Sequence, residues 1–128
     1  MVQQVTRGIK ISVETTFEGT FYKNHKMRYA FGYKITIANQ SKDSVQLMAR
    51  HWRITDALSA PETVAGEGVI GKKPVLKPGE SHTYSSGCLL NSAFGAMQGF
   101  YQMVNFTTTR NFRVKIPVFK LSAPFALN

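Results

Sequence analysis

Isoleucine and valine at Ile9, Ile11 and Val13 alternate with Lys10, Ser12 and Glu14. A period of two is the mark of a strand with one face in the core and the other in water. The pattern returns, longer, where Tyr29, Phe31, Tyr33, Ile35 and Ile37 alternate with Arg28, Ala30, Gly32, Lys34 and Thr36. It stops at Asn39-Gln40-Ser41-Lys42-Asp43-Ser44, a cluster of turn formers. Val45 to Thr55 puts Met48, Arg50, Trp52 and Ile54 on one face, with Trp52 as a core anchor. Asp56 to Glu62 reads as a loop, and Val64 begins a short strand. Val75-Leu76 leads into Lys77-Pro78-Gly79-Glu80, where Pro sets the first turn position and Gly supplies positive φ, as a type II turn requires. Strands are predicted at Ser81–Leu89, at about Gly99–Phe106 and at Asn111–Leu121. Pro117 cannot donate to a ladder, which suggests an edge position or a strand end. Phe94–Met103 offers at most a helical turn, weakened by Gly95 and Gly99. Seven or eight short strands with regular turns predict an all-β chain, an antiparallel β-sandwich of immunoglobulin or fibronectin type III-like character.

The 128 residues suit one domain, 1–128, with a single core, and 43% hydrophobic content is ordinary for a folded chain. Cys88 is the one cysteine, so no intramolecular disulfide exists. Met1 to Arg7 has no apolar leader, and no apolar run approaches the ~18 residues of a membrane span. The expectation is a cytoplasmic protein with reduced thiol and no membrane insertion. Net charge is +9, from 16 Lys and Arg against 7 Asp and Glu, which attracts anionic partners in general. Between Ser81 and Thr109 there is no Asp, Glu, Lys or Arg. That stretch holds Tyr84, Phe94, Phe100, Tyr101 and Phe106, besides Met97 and Met103. It reads as core strands or, alternatively, as a partner-binding surface, because interface centres lose charge and gain aromatics and Met.

Gly66-Glu67-Gly68-Val69-Ile70-Gly71 fits the letter pattern of a dinucleotide-binding turn, and with Lys72-Lys73 it nearly fits a P-loop. Both motifs need a following helix whose N–H groups hold the phosphate. Pro74, Pro78 and Gly79 deny that helix. Gly66, Gly68, Gly71, Lys72 and Lys73 are therefore either a strand-connecting loop or an anion nest of another kind, with Glu67 opposing an anion. Arg50 shares the inward side with Trp52 and needs a partner such as Asp56 or a carbonyl. His51 and Arg53 face the other way, and with Arg50 they are candidate partner or anion contacts.

His25, His51 and His82 are widely separated, and the acids form no calcium-type loop, so no metal site and no cofactor are predicted. Ser85-Ser86-Gly87 lacks the first glycine of a nucleophile elbow, and Cys88 among Gly87, Leu89 and Leu90 reads as an inert thiol. Nothing assembles a base, a nucleophile and an oxyanion donor, so an enzyme is not expected. Tyr29, Phe31 and Tyr33 alternate with Arg28 and Lys34, but a sandwich would turn the aromatics in and the charges out. That separation argues against nucleic acid as a partner.

An ordered series of motifs adds to this reading. Gln46-Leu47-Met48-Ala49-Arg50-His51-Trp52-Arg53-Ile54-Thr55-Asp56 and Val64 to Glu80 carry it first. Tyr84-Ser85-Ser86-Gly87, Gly95 to Tyr101, Ile116-Pro117-Val118-Phe119-Lys120-Leu121 and the closing Leu127-Asn128 continue it. Together they resemble the ApaG family over essentially the whole chain. The resemblance implies a fibronectin type III-like sandwich in a stand-alone bacterial protein, linked to cobalt resistance and magnesium efflux. It also implies kinship with protein-interaction modules of larger eukaryotic proteins. It carries over to Gly66, Gly68 and Gly71 a reading as a pyrophosphate-binding loop. The function expected is a non-enzymatic module that binds another protein and affects divalent-metal homeostasis indirectly. The alternative is a sensor of pyrophosphate or a dinucleotide at the glycine loop. Exposed sheet edges also leave room for a homo-oligomer.

Overall fold

The computed structural model describes residues 1–127, with side chains through Phe125, so the closing Leu127-Asn128 side chains of the motif series lie outside the described residues. Nine strands are described: β1 (Val2–Thr6), β2 (Ile9–Lys23), β3 (Lys26–Asn39), β4 (Val45–Asp56), β5 (Glu62–Glu67), β6 (Val75–Leu76), β7 (Ser81–Leu90), β8 (Phe94–Asn105) and β9 (Asn111–Ser122). One sheet runs β1-β2-β3-β7 and the other β5-β4-β8-β9, with β6 joining β4 beside β5. All pairings are antiparallel. The two sheets face each other as the predicted sandwich, and β1 and β2 pack against β9 along one side.

The alternating runs deliver the core. Ile9, Ile11, Ile35, Ile37, Leu47, Met103, Val114, Ile116 and Leu121 are completely buried. Trp52 is buried against Tyr33 and Phe119, with ring centroids 5.7 and 5.8 Å away. Burying apolar area of this kind at roughly 25 cal/mol per Å² is what holds the sheets together. Asn39 is buried too, and it closes the β3–β4 turn. Its Nδ2 donates to the Asp43 and Leu76 carbonyls, and its Oδ1 accepts from the Ser41 amide and hydroxyl. The Lys77–Glu80 turn forms as predicted, with Gly79 at φ 86° and the Glu80 amide donating to the Lys77 carbonyl.

Several expectations need correction. Among the described residues there are nine strands rather than seven or eight. β1 was missed because Val2 and Val5 are exposed and make no alternating face. β2 continues to Lys23, past the core, where it is held by pairing with β3 rather than by burial. β5 starts at Glu62, two residues before Val64. In β4 a bulge between Leu47 and Ala49 shifts the parity of the strand, so Leu47 faces the core and Met48 does not share the inward face with Arg50 and Trp52. Phe94–Met103 is strand, not a helical turn. Its glycines serve close strand approach: a Cβ at Gly95 would lie 2.5 Å from the Thr55 carbonyl oxygen, and one at Gly99 would lie 1.9 Å from that of His51. Pro117 does sit on an edge strand, at a bulge between the Met97 and Gly99 pairings.

Candidate functional site

The glycine stretch runs out of β5 and folds back as a tight hairpin of its own. Val69 and Lys72 exchange both backbone hydrogen bonds, at 2.8 and 3.0 Å, around Ile70 and Gly71. Both central residues have positive φ, 48° and 73°, as a type I′ turn requires. Gly71 adopts this freely, whereas a β-branched residue at positive φ is strained. No helix follows; the chain enters β6 through Pro74. The Gly68 amide donates to the Met48 carbonyl. The amides of Gly68, Val69 and Lys72 are thus engaged within the fold and do not point into an anion nest. Lys73 pairs with Glu67 at 3.3 Å.

Arg50 explains the first glycine. Its Nη1 donates to the carbonyls of Glu67 and Gly68, each at 2.9 Å. A Cβ on Gly66 would stand 2.9 Å from Nη2 and 3.0 Å from Cζ, so only glycine leaves the guanidinium its place. Of the two partners weighed for Arg50, the carbonyl is the one found. Asp56 instead accepts from the Asn91 amide, the Ser92 hydroxyl and the Leu58 amide. Beside Arg50 lies a cavity of about 130 Å³, walled by Tyr33, Tyr84, Ser86, Val69 and Gly71. The Tyr84 and Tyr101 hydroxyls bond to each other in the adjoining core. Burial raises the pKa of Tyr33, Tyr84 and Tyr101, partly offset by the nearby Arg50 charge. Replacing Arg50 with Ala is expected to cost about 2 kcal/mol, the range for hydrogen bonds to a charged group. It should also speed amide hydrogen exchange at Gly68–Lys72, which mass spectrometry resolves.

His51 and Arg53 do face outward, on the open face of the five-stranded sheet, apart from Arg50. There they meet residues that the sequence reading missed. The His51 ring stacks on Phe100 with centroids 4.5 Å apart and planes 16° from parallel. The Arg113 guanidinium lies 4.3 Å from the centre of the Phe100 ring. Lys115 and Gln98 complete the floor of a groove of about 700 Å³. Phe100, Arg113 and Lys115 were visible only as single residues in two separate strand patterns, and no spacing links them.

The β7 edge is a third feature. β7 pairs with β3 from Ala38↔Ser81 to Tyr29↔Leu90 without a bulge, and no described strand covers its other side. It carries no charged residue, and Leu89 is 56% exposed. Cys88, half-buried on the inward side, has its thiol pKa pushed up to about 11 by burial and then by Asp56. His82 has its pKa lowered by burial and, second, by Lys72. The glycine hairpin leans over His82–Ser86, and beyond it Gly87 and Leu89 are exposed.

The sequence profile of the ApaG domain matches residues 19–105. The chain belongs to the ApaG family. Protein ApaG of Brucella abortus is 44% identical over 124 residues, covering 97% of this chain and 95% of that protein. Protein ApaG of Brucella anthropi is 47% identical over the same shares. Among solved structures, the structural-genomics target SoR45 superposes with TM-score 0.86 at 35% identity, over 91% of this chain and 88% of that one. A Bordetella pertussis protein described as ApaA gives TM-score 0.83 at 34% identity, over 91% and 94%. In this ApaG-family chain the candidate residues therefore fall into separate places. Gly66, Gly68, Gly71, Lys72 and Lys73 gather with Arg50 at the hairpin over the sandwich side, and His51 and Arg53 belong to the outer groove. Among the described residues no three His, Cys, Asp or Glu side chains converge as metal ligands, and no helix is long and apolar enough to cross a membrane.

Proposed function

We propose that this ApaG-family protein is a non-enzymatic protein-interaction module whose β7 edge accepts an extended segment of another protein as an added strand. The observation that supports this reading is the contrast among the described edges. β9 is broken by a bulge at Pro117 and carries Arg113, Lys115 and Lys120. β5 is short and carries Glu62 and Glu67, and β1 has five residues. Bulges, charges and shortness are the usual guards against unwanted pairing. β7 has ten residues and none of these guards. Open main-chain donors and acceptors would supply affinity, and side chains such as Leu89 would supply selectivity. The uncharged stretch from Ser81 fits an interface centre.

An effect on cobalt and magnesium handling would then pass through the partner. His25, His51 and His82 sit on the β2–β3 turn, the outer groove and β7, too scattered to form one ligand set. The reading places the protein in the cytoplasm, where Cys88 stays reduced. Ser85 and Leu89 are exposed on β7, so Ser85→Lys with Leu89→Lys should leave the fold intact and block strand addition. The test captures partners from a lysate with the parent and the double variant. Proteins bound by the parent and lost by the variant support the reading. Identical captures from both, or concentration-dependent dimers of the parent alone in sedimentation, would remove it.

A further inference from the structure

The outer groove does not end at Arg113. The same arginine also lines a second cavity of about 610 Å³, formed where the β1–β2, β3–β4 and β8–β9 turns come together. That cavity adds Arg7 and Arg110 to the wall, with Ser41, Thr108 and Asn111 as neutral hydrogen-bonding groups. Its one acid is Asp43, whose carboxylate accepts from Asn105 Nδ2 at 3.0 Å, a bond that lowers its pKa. Across both cavities the cations are Arg7, Arg53, Arg110, Arg113 and Lys115, five in all, against the single carboxylate of Asp43. None of the five makes an ion pair among the described residues; the pair found there is Lys73 with Glu67. At the junction stands the stack of His51, Phe100 and Arg113.

We propose that these two neighbouring cavities, which share Arg113, together bind single-stranded nucleic acid. The phosphate backbone lies along the five cations, and bases stack on the exposed sides of the His51–Phe100–Arg113 layer. Guanidinium planes and aromatic rings both serve as stacking platforms for unpaired bases. Charge decides between a strand and a lone nucleotide. A phosphomonoester carries about −1.5 to −2 at neutral pH, and the two cavities, which share Arg113, offer five cations against one acid. A chain of phosphates matches that row; one phosphate uses a fraction of it. A sandwich is expected to turn its aromatics inward, away from the outward charges. Phe31 and Tyr33 do so, but Phe100 stands on the outer face among the cations. The groove spans β5, β4, β8 and β9, but none of Gly66–Lys73 and no β7 residue lines either cavity, so binding there does not use the glycine hairpin or the β7 edge.

The experiment measures binding of a fluorescent oligouridylate of about ten nucleotides, within the span of one small β-domain site, by anisotropy across a salt series. Five phosphate contacts to a single strand predict a slope of log K against log salt of about −3.5. Arg7→Ser with Arg110→Ser, both exposed, should flatten that slope by about 1.4. Phe100→Ala should weaken binding roughly tenfold at fixed salt, because it removes the ring that holds His51 and Arg113 together as a stacking platform. Lys72→Ala with Lys73→Ala should leave binding unchanged. The proposal is overturned by no binding at low salt, by uridine monophosphate binding as tightly as the oligomer, by a duplex binding as tightly as the strand, or by loss of binding in the Lys72/Lys73 variant with none in the Arg7/Arg110 variant. Thermal melting of each variant confirms that the fold is kept, and the arginine pair decides the matter if Phe100→Ala unfolds.

Discussion

Gly99→Ala is expected to abolish the folded state or to destabilise it by more than about 4 kcal/mol, beyond the usual range of single substitutions. The added Cβ would lie 1.9 Å from the His51 carbonyl oxygen, 3.0 Å from its carbon and 3.1 Å from the Trp52 Cα. All three are backbone atoms of β4, so no side chain can rotate away. β4 and β8 would have to separate at the centre of their sheet, next to the bulge at Met97/Gly99. The separation would also pull Phe100 from His51 and loosen Trp52 in the core. Gly71→Ala is the proper contrast. Nothing stands within 4 Å of a Cβ there, and the cost is confined to φ 73°, about 1–2 kcal/mol. Urea unfolding of the two variants should therefore give a small shift in midpoint for Gly71→Ala and no cooperative transition for Gly99→Ala. A folded Gly99→Ala protein with near-parent stability would mean that the strands do not approach as described.

The second large effect is alkaline unfolding. Tyr84 and Tyr101 are buried, and their pKa values are raised, chiefly by burial, above the ordinary value of 10.0. Unfolded, both would lose their protons from about pH 10. Folded, they keep them to higher pH. The unfolded chain then binds fewer protons than the native one, so stability is complete below pH 10 and falls as pH rises beyond it. Two such groups give a slope of about 3 kcal/mol per pH unit. Cys88, moved from 9.0 to about 11, begins the decline slightly earlier. Denaturation midpoints between pH 8 and pH 11.5, roughly spanning those values, should be flat and then break downward. Replacing both tyrosines with Phe should remove most of the slope at little cost near neutral pH. Tyr101→Phe alone should cost about 1–3 kcal/mol at neutral pH, because the Tyr84 hydroxyl then lacks its buried partner. An unchanged alkaline slope in the double variant would show that these hydroxyls are not the buried groups.

Much of the sandwich was legible because strand alternation is local. Ile9 to Val13 and Tyr29 to Ile37 could be assigned to faces with no knowledge of their partners, and burial bears them out. The errors arose where pairing, not pattern, makes the strand. β1 and the far half of β2 have weak faces and exist because neighbours hold them. The β4 bulge at Met48 shifted a correct parity by one residue, which a period of two cannot reveal from within. At the candidate sites, Arg50 was assigned inward with a carbonyl among its partners, and His51 and Arg53 outward. The role of Gly66 as room for a guanidinium could not be read, since the clash it avoids is with a residue of another strand.

The order of residues alone determined that this chain is all β, where most of its strands and turns fall, that Trp52 is a core residue, that a helix cannot follow the glycine stretch, and which family it joins. Each depends on near neighbours: alternation, proline, glycine and motif order. Tertiary structure alone decided that β7 pairs with a strand on one side only, that Arg50 binds the Glu67 and Gly68 carbonyls, and that Arg7, Phe100, Arg110 and Arg113 line two cavities sharing Arg113. Those residues come from segments about a hundred positions apart. They meet only because β1 lies along β9 and β8 pairs with both β4 and β9. Cross-strand adjacency of that kind follows from which strands pair and in what register, and no periodicity along the chain encodes it.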